Sequence, residues 1–93
     1  MPRFRVFETD EFLRKRAKLP PADASFIQHK TDAYVYPQLR EDPFYGPNTR
    51  KLPGYAPNAW RYRIGKVRLF YAFDTEERVV YVLSVDLRRD AYR

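Results

Sequence analysis

The spacing of apolar and polar positions along this 93-residue chain changes period near residue 60, separating a helical part from a sheet part. Residues 3–7 alternate in part, which predicts a short strand. Glu8, Thr9, Asp10 and Glu11 follow, a cap candidate and acids suited to the positive end of a helix. That helix continues through Phe12 and Leu13 to Leu19, with Arg14, Lys15, Arg16 and Lys18 toward its negative end. Pro20 and Pro21 stop it and start another. Over residues 22–36, Phe26, Ile27, Ala33 and Tyr34 recur near the helical period of about 3.6 residues, predicting a second amphipathic helix. Pro37 either ends this helix or kinks a last turn carrying Leu39 and Arg40. Residues 42–58 hold four of the eight prolines and read as an irregular connection, anchored by Phe44, Tyr45, Leu52 and Tyr55.

From Trp60 the alternation becomes strict: Trp60, Tyr62 and Ile64 are apolar, with Arg61 and Arg63 between them. Gly65-Lys66 signals a two-residue hairpin of the glycine-first kind. The chain returns as a strand with Val67, Leu69, Tyr71 and Phe73 on one face. After a turn at residues 74–77, the run 79–85 is apolar on both faces and reads as a central strand. Residues 88–93 close the chain as a short turn or helical stub. The reading is a single α+β domain over residues 1–93 with the order β-α-α-β-β-β. Two helices cover only one face of such a sheet, so the other stays open to solvent or a partner.

Composition narrows what that open face does. The chain carries 18 Lys and Arg against 12 Asp and Glu, a net charge of +6. The charge is spread: residues 1–59 hold 10 basic and 7 acidic side chains and residues 60–93 hold 8 and 5, so each part contributes +3. A basic face must therefore be assembled by folding. An aromatic share of 17% supplies a core and excludes intrinsic disorder. The absence of cysteine excludes a disulfide scaffold, a thiolate metal site and a cysteine nucleophile. A single histidine, His29, makes a histidine metal cage or a Ser/His triad nearly impossible. No apolar run reaches the roughly 18 residues of a membrane span, and no signal-peptide pattern opens the chain. The expectation is a soluble, cytoplasmic domain with acidic partners, no membrane association, no metal and no cofactor.

With the apolar positions of the meander facing the helices, Arg61, Arg63 and Arg68 face the open side, close enough to share one phosphate. The last strand runs out into Arg88 and Arg89, with Tyr92 one turn later. A guanidinium suits phosphate because its planar fork donates two parallel hydrogen bonds, and a tyrosine offers a stacking surface to an unpaired base. Arginines interleaved with an aromatic on an open sheet point to an RNA site.

Two segments carry a resemblance. Residues 51–54 (Lys-Leu-Pro-Gly) with 60–71, and the ending Ser84-Val85-Asp86-Leu87-Arg88-Arg89-Asp90-Ala91-Tyr92-Arg93, resemble the RelE/ParE superfamily of bacterial type II toxins. Asp42-Pro43-Phe44 is similar to the short motif after that family's second helix. The likeness is specific over about residues 39–93, and the earlier residues agree mainly in element order. It implies a β-α-α-β-β-β fold and one of two activities. The RelE branch cleaves messenger RNA in the ribosomal A site, and the ParE branch inhibits DNA gyrase without being a nuclease. Basic residues matching the RelE pattern stand at Arg61, Arg63, Arg68 and Arg88, with Tyr92 near the end, which favours the nuclease branch. Leu87 stands where many relatives carry histidine, so no histidine serves as acid or base there.

The resemblance implies attack by a ribose 2′-hydroxyl on the adjacent phosphate, leaving a 2′,3′-cyclic phosphate without a metal. Arg68, Arg88 and Tyr92 are the expected catalytic residues, the arginines stabilising charge on the phosphorane and Tyr92 stacking or moving a proton. Arg61, Arg63, Lys66 and Arg89 are expected at RNA phosphates, and Lys66 is also a candidate base. The implied partners are the ribosome and its message, and a cognate antitoxin, acidic and wrapped around the toxin. The alternatives are a ParE-like inhibitor partnered with gyrase and an inactive homologue that only binds antitoxin.

Overall fold

The structure is a computed structural model and describes residues 3–43, 49–51 and 59–87. Its strands are β1 (Arg5–Glu8), β2 (Thr49–Lys51), β3 (Ala59–Ile64), β4 (Val67–Asp74) and β5 (Val79–Leu87). They form one sheet in the order β1-β5-β4-β3-β2. β2 through β5 pair antiparallel, and β1 lies parallel against β5. The α+β reading therefore holds, with two additions. β2 falls inside the stretch read as irregular, because three residues of Thr-Arg-Lys are too short and too polar to reveal a period. β1 joins the sheet from the far end of the sequence and makes β5 an interior strand, as its apolar run predicts.

Helix α1 (Asp10–Ala17) opens on Thr9, whose hydroxyl accepts from the Phe12 amide and donates to the Val82 carbonyl at 2.7 Å. One side chain thus caps the helix and ties it to β5. Asp10 and Glu11 lie in the first turn and Arg14, Lys15 and Arg16 in the last, matching the helix dipole at both ends. Helix α2 (Pro21–Lys30) begins with proline at its first position, where the missing N–H costs nothing.

The chain does not stop at Pro37. It passes through a wide π turn, Thr31–Val35, into helix α3 (Tyr36–Glu41), with the Tyr36 amide bonded to the Thr31 carbonyl. Pro37 has no N–H and its ring crowds the carbonyl four residues back; the wider turn just upstream makes room for it. The wide turn and Thr31 also move the buried face. Ile27, Thr31, Val35, Tyr36 and Leu39 point inward, whereas Phe26 is 40% exposed and Tyr34 59% exposed. The apolar stripe expected through Phe26, Ala33 and Tyr34 is thus corrected: Ile27 alone of that set is buried. Lys30 instead rests its ammonium over both outward rings, 5.7 Å from Phe26 and 4.9 Å from Tyr34.

The core lies between the helices and one sheet face. Phe12, Ile27, Val35 and Leu39 meet Tyr62, Leu69, Tyr71, Val82 and Val85, all buried. Trp60 stacks on Tyr71 at 6.4 Å between ring centroids. The Tyr71 hydroxyl donates to the Pro43 carbonyl at 2.9 Å, pinning the end of the helical layer to the sheet. No helix among the described residues is long and apolar enough to cross a membrane.

Candidate nucleic-acid interface

Strand register decides which side chains share the open face. Ile64 pairs with Val67 across the hairpin, and of the turn residues between them Gly65 has a positive φ of 56°. Lys66 does not, so this is the glycine-first turn whose twist suits antiparallel strands. From that start, Tyr62 faces Leu69 and Trp60 faces Tyr71 on the core side. On the other side Arg63 faces Arg68, and Arg61 faces Phe70. Continuing across β4, Arg68 faces Asp86 and Phe70 faces Ser84.

The open face therefore carries two neighbouring rows: Arg63–Arg68–Asp86, and Arg61–Phe70–Ser84. The three arginines and the three nonarginine members are all half-buried. The Arg68 guanidinium carbon lies 5.9 Å from the Phe70 ring centroid, and its Nε is 3.3 Å from an Asp86 carboxylate oxygen. The Arg63 Nε is buried and has no hydrogen-bond partner among the described residues. Two facing guanidiniums with one carboxylate beside them leave uncompensated positive charge on this surface.

A bulge brings β5 into this arrangement. Tyr71 pairs with Val82 and Phe70 with Ser84, which leaves Leu83 as an extra residue. Val80 and Val82 before it, and Val85 and Leu87 after it, consequently all reach the core. Ser84 and Asp86 turn to the open face. Helix α1 walls the same region, with the Lys15 ammonium 2.9 Å from the Ser84 hydroxyl and 3.4 Å from Glu11. Thr9, Glu11, Lys15, Phe70, Leu83, Ser84 and Asp86 enclose a cleft of about 540 Å³.

The structure thus brings Arg61, Arg63 and Arg68 together as the alternation predicts. Lys66 is elsewhere engaged, its ammonium 3.1 Å from Asp23 on α2. Arg88, Arg89 and Tyr92 lie outside the described residues. Sequence reasoning missed Phe70, Ser84 and the placement of Asp86. Phe70 was legible, being the residue in phase with Arg68 in an alternating strand. The other two depend on the bulge. His29 is exposed on α2.

No protein-family model matches the sequence, and no curated protein matches it. Solved structures do. The chain is similar to a chain of the RelBE2 toxin–antitoxin complex of Mycobacterium tuberculosis, with TM-score 0.72 and 26% identity over 92% of this chain and 99% of that one. It is similar to a chain of the archaeal RelE–RelB complex of Pyrococcus horikoshii, with TM-score 0.62 and 22% identity over 95% and 97% of the two chains. It is also similar to a chain of the intact Escherichia coli RelBE complex, with TM-score 0.63 and 22% identity over 90% and 95%. The fold and these likenesses are those of a RelE-like type II toxin.

Proposed function

We propose that this protein is the toxin of a type II toxin–antitoxin pair and a ribosome-dependent mRNA endonuclease. The observation that carries the reading is the row Arg63–Arg68 beside Arg61 and Phe70: guanidiniums for phosphates around an aromatic ring for a base. In this reading Arg68 and Arg88 stabilise the negative charge that builds on the phosphorane as the 2′-oxygen attacks. Tyr92 stacks on the base or moves a proton. Arg61, Arg63 and Arg89 hold flanking phosphates, and Lys66 joins them on giving up Asp23. The reaction as proposed calls on no metal. The partners are the ribosome with its message, in the cytoplasm, and an acidic antitoxin suited to a chain of net charge +6. Support for the antitoxin comes from the RelBE complexes themselves, which pair a RelE chain with RelB.

The test is primer extension on a reporter message after inducing the chain without antitoxin, beside an Arg68→Ala control. Cuts inside translated codons, absent in the variant and absent when translation is blocked, are expected. Growth arrest with an intact message would instead mark an inhibitor of gyrase type. Neither cuts nor arrest would mark a homologue that only binds antitoxin.

A further inference from the structure

The nuclease reading lacks a proton acceptor. Arginine stays protonated below a pH of about 12. Lys15 is occupied by Ser84 and Glu11, and Lys66 by Asp23. Among the described residues, the carboxylate that meets the arginine row is Asp86.

We propose that Asp86 is the general base of this site and that the cleft between α1 and the sheet seats the nucleotide it deprotonates. The inference rests on the nuclease reading and names a residue that reading leaves unassigned. Three observations carry it. Asp86 stands directly across from Arg68, the arginine assigned to the reacting phosphate, so acceptor and phosphate ligand are adjacent. Its side chain is 43% exposed against 20% for Arg68, so the carboxylate is within reach of a substrate while its partner is held. It lines the cleft whose other walls are Thr9, Glu11, Lys15, Phe70, Leu83 and Ser84, a space with an aromatic face, two hydroxyls, a cation and a second acid.

The charged and titratable groups around Asp86 belong to every neighbouring element. Arg68 is on β4, with Arg63 beyond it on β3, and Lys15 and Glu11 face it from α1. The 2′-hydroxyl proton passes to an Asp86 carboxylate oxygen as the bond from the 2′-oxygen to phosphorus forms. The bond from phosphorus to the 5′-oxygen breaks, and that oxygen takes a proton from water. The products are a 2′,3′-cyclic phosphate and a 5′-hydroxyl, and Asp86 returns its proton to solvent. A contact of 3.3 Å to Arg68 also orients the carboxylate in the resting site.

The experiment measures single-turnover cleavage of a ribosome-bound message by the wild type, Asp86→Asn, Asp86→Glu and Arg68→Ala. Ribosome affinity and thermal melting are recorded for each. A second message carries sulfur in place of the 5′-bridging oxygen, a leaving group that needs no proton. Loss of a general base slows cleavage by about 10²–10⁴-fold. Asp86→Asn is expected to show that loss with unchanged melting and affinity, Asp86→Glu to restore part of it, and the sulfur substrate to restore none. An Asp86→Asn variant that cuts as fast as the wild type, or faster because Arg68 is released, overturns the proposal. Rescue by the sulfur substrate overturns it too, since it would make Asp86 the acid. A wild type that does not cut removes the nuclease reading itself, a result distinct from either.

Discussion

Arg63 on β3 and Arg68 on β4 occupy directly opposed positions on the open face, and the only carboxylate across the row from them, among the described residues, is on the far side of Arg68. Opposed like charges destabilise an antiparallel pair, by roughly the 0.2–1 kcal/mol that favourable pairs contribute. A surface selected only for stability would not keep them. Arg63→Thr, which removes the repulsion and favours the strand, is expected to raise the melting temperature while weakening binding of single-stranded RNA. Thermal melts and fluorescence anisotropy on the same two proteins check both signs. A variant that melts lower would show that Arg63 contributes to the fold.

Phe70 is the aromatic member of that face, half-buried between Arg61 and Ser84 with Arg68 over its ring. A base stacked on a ring contributes about 1–3 kcal/mol. Phe70→Ala is expected to lower affinity for single-stranded RNA by one to two orders of magnitude, and Phe70→Tyr to preserve it. Because the ring lies on the open face, far-ultraviolet circular dichroism should be unchanged in both. Equal binding by all three proteins would remove the stacking role.

Much of this site follows from a period-two pattern, and the parts that do not follow share a physical cause. The alternation from Trp60 to Phe73 puts Arg61, Arg63 and Arg68 on one face because successive residues of a strand point to opposite sides. The glycine-first turn fixes the register, so the pairing of Arg63 with Arg68 is implicit in Gly65-Lys66. The bulge at Leu83 is not legible: it shifts the alternation by one, and the run 79–85 then looks apolar on both faces. The place of Asp86 directly across from Arg68 therefore emerges only once the bulge is known. The π turn acts on the helical layer in the same way. It shifts the helical phase between Ile27 and Leu39, and with Thr31 at the centre of the buried stripe the outward Phe26 and Tyr34 passed for core. The parallel partner of β5 was hidden for another reason, since a pairing between residues 5–8 and 79–82 leaves no local signal.

The two tyrosines that anchor the helical layer make the fold sensitive to alkali. Burial is the main cause that pushes both the Tyr36 and Tyr71 phenols well above the ordinary tyrosine value; Glu8, which accepts from the Tyr36 hydroxyl at 2.7 Å, adds to the first. The folded state therefore holds both protons after the unfolded chain has begun to lose its own. Their stabilising contribution is complete below the unfolded value of about 10 and declines as pH rises above it, by up to about 1.4 kcal/mol per pH unit for each phenol. Urea unfolding between pH 9 and pH 11.5 is expected to show this decline, and Tyr36→Phe to lessen its slope. A slope indifferent to that substitution would show that Tyr36 does not hold its proton in the fold.

Arg78 closes the turn between β4 and β5 with a φ of 57°, in the left-handed region. A side chain there costs roughly 1–2 kcal/mol, and glycine avoids the cost. The turn's other fastenings do not involve the Arg78 side chain. Asp74 accepts from the Glu76 and Glu77 amides, and the Arg78 carbonyl accepts from the Arg5 amide. Arg78→Gly is thus expected to stabilise the fold, less the entropy that glycine adds to the unfolded chain. Gly65, at φ 56°, is the reverse case: Gly65→Ala should destabilise although a Cβ there meets nothing within 4 Å, because the backbone conformation itself carries the strain. Thermal melting of the two variants is expected to move in opposite directions.

The salt dependence of binding separates cations that meet phosphate from cations already committed within the protein. Each phosphate neutralised on a single strand contributes about −0.7 to the slope of log affinity against log salt. Arg63 has no ion pair among those found for the described residues, so no carboxylate there has to be given up for a phosphate. Lys66 meets a phosphate only by leaving Asp23, which exchanges one anion for another and releases less salt. Arg63→Ala is therefore expected to flatten the slope by close to one phosphate's worth, and Lys66→Ala by less. Anisotropy titrations with a short single-stranded RNA from 50 to 300 mM salt resolve the difference. Should Lys66→Ala flatten the slope as much as Arg63→Ala, the lysine has left Asp23 in the complex, and the RNA path runs over the hairpin toward α2.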